Sequence, residues 1–399
     1  MSVTTINETD RRGFLLQMTA AGAAATAAAS IPGRLSAAGE TKSHDQAVQL
    51  KSRPDVIVYQ RRGYQLKRQG TYPAWPWVAR AGDGRLVCVF REGTRHNVNP
   101  APRPPEVLMW TESSDEGRSW TPARVMVDPD GTAERNANVA SLPDASLMVA
   151  YNVHTPDLSY RAAMAVFSHD GGASWTAPVV VHEGGGTRGA AIGLASGDIL
   201  LPIYTHKGGG GSRGNCVAMR SSDMGKTWEA HPLPNPHNLP GDEWSIAEVE
   251  PGRVVGITHF REQEDGRYFK TESGDGGRNW EVLTKTNVSQ PDPAIWPGRN
   301  GGPPQLDMHG KIPVLTYPDH RLLSVSMTTT TDPEFLNWDV AGQVNCYRYP
   351  EEISDGGYPC SVAIGEHRRL VIDYEIRAGN TVDGMWIAGY FVDLPSGWF

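Results

Sequence analysis

The sequence predicts an all-β chain closed on itself as a six-bladed β-propeller, and three observations carry that expectation. An eight-residue pattern recurs at even spacing, short apolar runs bounded by turn residues lie between its copies, and no stretch of twelve residues carries a helical period. The composition agrees: 44 Gly, 30 Pro and 12 Trp in 399 residues favour turns and sheets over helices.

The first residues stand apart from the fold. Asp10-Arg11-Arg12-Gly13-Phe14-Leu15-Leu16 precedes an Ala-rich, weakly apolar run from Met18 to Ile31, and Ser36-Ala37-Ala38 offers small residues for cleavage. Paired arginines ahead of such a stretch resemble a twin-arginine export signal. Residues 1–38 are therefore expected to engage the export machinery, 39–50 to be a disordered linker, and 51–399 to form the propeller. The mature protein is expected in the periplasm or outside the cell. The Ala-rich run is too short and too weakly apolar to span a membrane, and no later segment approaches the required length.

The repeat fixes the architecture. Ser113-Ser114-Asp115-Glu116-Gly117-Arg118-Ser119-Trp120 recurs as Ser168-His169-Asp170-Gly171-Gly172-Ala173-Ser174-Trp175 and as Ser221-Ser222-Asp223-Met224-Gly225-Lys226-Thr227-Trp228. A looser copy is Ser273-Gly274-Asp275-Gly276-Gly277-Arg278-Asn279-Trp280, and a worn fifth ends at Asn337-Trp338. The first four Asp positions are 55, 53 and 52 residues apart, the length of one blade. Some 350 residues at that period make six blades with a little left for closure. In each copy the Asp can accept backbone N–H groups of a tight hairpin, the Gly supplies a positive φ, the Ser or Thr caps the loop, and the Trp packs between sheets.

Strands are expected at Arg85–Phe90, Ser146–Tyr151, Asp198–Tyr204 and Arg253–Thr258, short apolar runs that mostly follow Gly or Asp turns. A net charge of -8 argues against nucleic acid as a partner, though a few arginines in one pocket can still hold a small anion. The four cysteines lack metal-site spacing. One disulfide, with Cys346 and Cys360 the nearest pair, or buried free thiols are both compatible with export. Gly184–Gly186 and Gly208–Gly211 lack the features of a phosphate loop, and Asp128-Pro129-Asp130-Gly131 does not fit a calcium loop. Neither a metal nor a cofactor is expected.

The repeated hairpin is the Asp-box, and the chain resembles the sialidase (neuraminidase) superfamily along essentially all its length after the signal. That resemblance implies a glycan-binding mouth at one end of the channel. It also implies three arginines clamping a carboxylate, a Tyr nucleophile activated by a Glu, and an Asp acid/base. The superfamily is an exception among glycosidases, which otherwise use two carboxylates. Gly357-Tyr358-Pro359 followed by Leu370 to Glu375 resembles the final-blade pattern, making Tyr358 the implied nucleophile. Asp242-Glu243-Trp244 resembles the segment carrying the activating Glu, so Glu243 takes that role. Arg261, after Phe260, and Arg321, in Asp319-His320-Arg321, fall at two clamp positions.

Two departures follow. Tyr72-Pro73-Ala74-Trp75-Pro76-Trp77 stands where the first clamp arginine belongs, and the loop after Phe90, Arg91 to Pro102, contains no Asp. His96 is the substitute acid/base there, since imidazole is competent near neutral pH. Arg91, Arg135 and Arg188 are candidates to rebuild an anion site, and Trp75 and Trp77 offer faces to a sugar. Glu92 reads as a partner for Arg91 or Arg95. The expected function is an exo-acting glycoside hydrolase removing a terminal acidic or unusual sugar from a glycan. The alternative is a non-catalytic carbohydrate-binding propeller, an exported lectin or sensor.

Overall fold

A computed structural model describes residues 51, 53–60, 72–93, 106–128, 132–155, 161–207, 212–260, 265–290, 302–319, 321–349, 353–377 and 385–399. The predicted export signal (1–38) and linker (39–50), together with His96 and Arg261, lie outside the described residues.

Six antiparallel sheets follow one another along the chain. β1 (Val56–Tyr59) precedes blade 1, built from β2 (Tyr72–Arg80), β3 (Leu86–Gly93), β4 (Val107–Ser113) and β5 (Arg124–Val127). Blade 2 is β6 (Ala133–Ser141), β7 (Leu147–His154), β8 (Arg161–Ser168) and β9 (Val179–Glu183). Blade 3 has a split first strand, β10 (Gly185–Gly186) and β11 (Ile192–Gly193), then β12 (Ile199–Lys207), β13 (Ser212–Ser221) and β14 (Glu229–Pro232). Blade 4 is β15 (Trp244–Glu250), β16 (Arg253–Thr258), β17 (Arg267–Ser273) and β18 (Thr284–Ser289). Blade 5 is β19 (Gln305–His309), β20 (Ile312–Asp319), β21 (Ser324–Thr329) and β22 (Val344–Arg348).

Blade 6 closes the ring. β23 (Ile353–Asp355) and β24 (Cys360–Gly365) pair with β25 (Arg368–Arg377), which pairs with β26 (Met385–Asp393), and β1 supplies the last strand through Val56↔Gly389. Joining the two ends of the described chain in one sheet closes the propeller. Among the described residues the only helical turn is Ser396–Trp398.

The four predicted runs fall on the second strands of blades 1 to 4, and the structure extends three of them at their C-terminal ends, to Gly93, His154 and Lys207. Neighbouring sheets cover these strands, so β3 is buried at every position and Leu86 to Phe90 read as a continuous apolar run without alternation.

The Asp-boxes join third and fourth strands. In the first, Asp115 accepts the Ser119 N–H (2.8 Å) and hydroxyl (2.6 Å), Ser113 accepts the Gly117 N–H (2.9 Å), and Trp120 Nε1 donates to the Gly117 carbonyl (3.0 Å). Two left-handed residues in a row, Glu116 (φ 58°) and Gly117 (φ 84°), turn the chain. Gly117 also lies so close to Leu370 of blade 6 that a Cβ would sit 2.5 Å from Cδ2, so any side chain there would have to displace that leucine as well as adopt the strained φ. The worn fifth copy is real and one residue longer: Asp332 accepts from Glu334 and Asn337, and Trp338 Nε1 donates to Phe335. All four cysteines are buried and free, which settles the disulfide alternative.

Candidate active site at one mouth of the channel

The inner strands are interrupted at one level in four blades, and the sequence dictates where. In β2 the register slips between Ala74 and Trp77, at Trp75-Pro76; proline has no N–H to give the ladder, and Trp75 is forced to φ 54°. In β6 the slip falls between Arg135 and Asn138, with Asn136 at φ 51°, a conformation asparagine tolerates. Thr187–Ala191 divides β10 from β11, and Gly356–Pro359 divides β23 from β24. Non-glycine residues in the left-handed region cost about 1–3 kcal/mol each and concentrate where structure serves function. These interruptions bring Trp75 and Arg188 together around Tyr358 and turn Asn136 onto Glu243.

Arg188 reaches across the mouth. It is buried, and its Nη2 donates to the carbonyls of Pro76 in blade 1 and Tyr358 in blade 6, both at 3.1 Å. Its Cζ stands 4.9 Å from the Trp77 ring centroid and 5.4 Å from that of Tyr358. Its Nε and Nη1 have no hydrogen-bond partner, and no carboxylate pairs with it among the described residues. A buried guanidinium with unengaged donors can hold an anion.

Tyr358 is buried, with ring centroids 6.2 Å from Trp75 and 6.1 Å from Tyr374. Asp373 holds its backbone by accepting the N–H groups of Gly357 (3.2 Å), Tyr358 (3.1 Å) and Tyr374 (2.8 Å), together with the Tyr349 hydroxyl. Glu243, also buried, accepts from Asn136 Nδ2 at 3.1 Å.

Arg91 and Arg135 share one counterion. Glu106, fully buried, pairs with Arg91 Nη2 and lies 3.0 Å from Arg135 Nε. Both guanidinium groups approach Trp75, with Cζ 4.7 and 4.4 Å from its ring centroid. Burial lowers the Arg91 pKa to about 10, opposed by Glu106. Glu92 accepts from the Tyr59 hydroxyl, and Arg95, one of its expected partners, lies outside the described residues. The structure thus brings arginines against the two tryptophan rings that the sequence offers to a sugar. Arg321 forms a two-point pair with Asp319 (3.1 and 2.9 Å) beside blade 5 and stays half exposed.

Sequence reasoning missed two carboxylic acids. Asp355 accepts from the Tyr72 hydroxyl and the Gly356 N–H (3.0 Å), and burial pushes its pKa up to about 8. Burial likewise pushes Asp373 up to about 7, opposed by its hydrogen bond from Tyr349. Asp355 lies three residues before Tyr358; the signal for it was the Asp-Gly-Gly-Tyr run, which reads as a turn until the chain is folded.

The far end of the channel holds a cavity of about 370 Å³ lined by Trp77, Ser141, Gly193, Glu248 and Asp307. Its charged groups are engaged: Glu248 accepts the N–H groups of Ala195 and Gly252, and Asp307 pairs with Arg369.

Six blades in a closed ring, five of them carrying an Asp-box hairpin, make a propeller with the fold seen in sialidases. The BNR repeat-like domain family matches residues 84–301, more than half of the chain, and the protein belongs to that family. Solved structures agree on the fold. A protein of unknown function from Dyadobacter fermentans is similar at 19% identity and TM-score 0.70, over 87% of this chain and 99% of that one. The NanB sialidase from Streptococcus pneumoniae is similar at 10% identity and TM-score 0.66, over 86% and 71% of the two chains. A leech intramolecular trans-sialidase is similar at 11% identity and TM-score 0.62, over 85% and 70%. No curated protein matches the sequence.

Proposed function

We propose that this propeller is an exo-acting glycoside hydrolase that removes a terminal acidic sugar from a glycan. Arg188 carries the reading, since a buried guanidinium with two unengaged donors beside Tyr358 suits a sugar carboxylate. In this scheme Tyr358 attacks the anomeric carbon and passes its phenolic proton to Glu243. A neutral phenol approaches an anionic sugar without the repulsion a carboxylate nucleophile would meet. Arg261 and Arg321 hold the ring, and His96 protonates the leaving oxygen. Asp355, which burial keeps protonated at neutral pH, is the second candidate for that proton.

The test is turnover of aryl glycosides, including a sialoside, uronides, a rhamnoside, a fucoside and an arabinoside, by wild type and Tyr358→Phe. Release of one aglycone that falls by about 10³-fold or more in the folded variant supports the scheme. Equal rates in both proteins remove Tyr358 from it.

One observation favours a binding-only reading: Glu106 locks Arg91 and Arg135 together against Trp75, a rigid arrangement suited to recognition without chemistry. Glycan-array binding with silence across the substrate panel would establish it. Export through the residues 1–38 signal belongs to the same proposal, and N-terminal sequencing of the mature protein tests it.

A further inference from the structure

We infer that Asp242, Glu243 and His259 form a binding site for one divalent transition-metal ion of the zinc or manganese type. The sheet register builds it. Trp244 pairs with Thr258 across β15 and β16, so the residue before the first and the residue after the second, Glu243 and His259, stand side by side. The carbonyl of Glu243 accepts from the Thr258 hydroxyl at 3.3 Å, which ties the two strand ends together. Asp242 is the next residue outward, and all three side chains are buried.

The distances separate ligation from hydrogen bonding. His259 Nε2 lies 3.5 Å from Glu243 Oε2 and 3.6 Å from Asp242 Oδ1. Both exceed the 2.7–3.2 Å or so of an N–H···O bond. Neither ring nitrogen of His259 makes a hydrogen bond, although the ring is buried. Donors bound to one ion at about 2.0–2.2 Å stand roughly 3 to 3.5 Å from one another, close to the spacing found here. The ligand atoms of the three residues all lie within 4.8 Å of one another.

The donor set selects the ion. One imidazole nitrogen with two carboxylates suits zinc or manganese, whereas magnesium and calcium take oxygen ligands. Two carboxylates balance a divalent charge. Outer partners orient the ligands: Asn136 Nδ2 donates to Glu243 Oε1 at 3.1 Å, and the Glu243 N–H donates to Asp242 Oδ1 at 2.8 Å. Three protein ligands at a channel mouth leave a coordination position for water or a glycan oxygen.

The site rests on register and distance and not on the proposed hydrolysis, but the two share Glu243, whose carboxylate takes the Tyr358 proton only when no ion holds it; metal counting therefore reads the site independently of turnover. The experiment loads full-length, chelator-stripped protein with Co²⁺ as a spectroscopic probe, then displaces it with Zn²⁺, counting metal per chain by mass spectrometry. One ion per chain, visible ligand-field absorption and a rise in melting temperature are expected. His259→Ala and Asp242→Asn should each weaken binding by roughly 100-fold or more, while exposed His237→Ala binds as wild type does. Circular dichroism of the stripped variants checks their fold. Absence of a stoichiometric ion in wild type, or unchanged affinity in a folded His259→Ala, overturns the assignment.

Discussion

The Asp373 carboxylate, on the second strand of blade 6, accepts the backbone N–H of Tyr358 at 3.1 Å across 15 residues of sequence. The same carboxylate takes N–H groups from Gly357 and Tyr374 and the hydroxyl of Tyr349, so one buried side chain fixes the turn that presents Tyr358. Removing it strands several buried donors at once, each costing about 1–3 kcal/mol. Asp373→Ala should therefore lose about 3 kcal/mol or more in urea denaturation and lose turnover with it. Asp373→Asn keeps one acceptor oxygen and should fall between the two. A full-stability Asp373→Ala would show that the turn is held by other contacts.

Arg188 separates recognition from stability. Arg188→Met removes two hydrogen bonds to carbonyls but also removes a desolvated charge with no carboxylate partner among the described residues. Stability should stay within about 1 kcal/mol of wild type. Affinity for an acidic sugar should fall roughly 100-fold or more, with neutral sugars little affected. Calorimetric titration of matched uronic and neutral sugars makes the comparison. Equal losses for both would mean that Arg188 shapes the mouth without reading charge.

The outer architecture was legible because it repeats: four hairpins of one chemistry at one spacing left little freedom. Even the worn copy at Asp332 and Trp338 kept its hydrogen bonds while gaining a residue. The breaks in the inner strands also had local marks, Pro76 and the Gly356-Gly357-Tyr358-Pro359 run. The site's partnerships had none, because they are set by strand register and by the packing of neighbouring blades. Glu106 meets Arg91 through the β3–β4 register and Arg135 only once blades 1 and 2 stand side by side, and His259 reaches Glu243 only through the β15–β16 register. Asp355 owes its raised pKa to burial, which no single stretch of sequence encodes.

Those buried acids give stability an alkaline limb. Asp355 keeps its proton to about 8 and Asp373 to about 7, while in the unfolded chain each ionises near 3.8. Between these values the folded protein binds more protons than the unfolded one, so stability falls as pH rises. The contribution is fully present below about pH 4 and gone above about pH 8, with a slope of at most ~1.4 kcal/mol per pH unit per group. Asp355→Asn removes one titrating group and should flatten the slope, most of all above pH 7 or so, where Asp373 has already ionised. Urea denaturation across that range measures it, and an undiminished slope in the variant would exclude Asp355 as the source.

The Asp-boxes set the opposite limb. Hydrogen bonds from the hydroxyl and N–H of Ser119 hold Asp115 down to about 2, and those from Thr227 hold Asp223 at about 2. Asp170 is lowered further by Ser174, and Asp275 is held at about 2 by Asn279 against a burial effect of opposite sign. Each folded value lies below the unfolded 3.8, so the stabilisation is present above about pH 4 and lost as pH falls towards 2. The rims of four blades should loosen together as these carboxylates take up protons. Asp170→Asn preserves an acceptor for the hairpin N–H and cannot be protonated in that range. It should be less stable than wild type at neutral pH, yet show a shallower loss on acidification. Near-ultraviolet circular dichroism reads this through the tryptophans, since Trp175 stacks edge-on against Trp110 at 5.1 Å. If acid left that signal unchanged while the far-ultraviolet signal collapsed, the hairpins would not be where acid acts first.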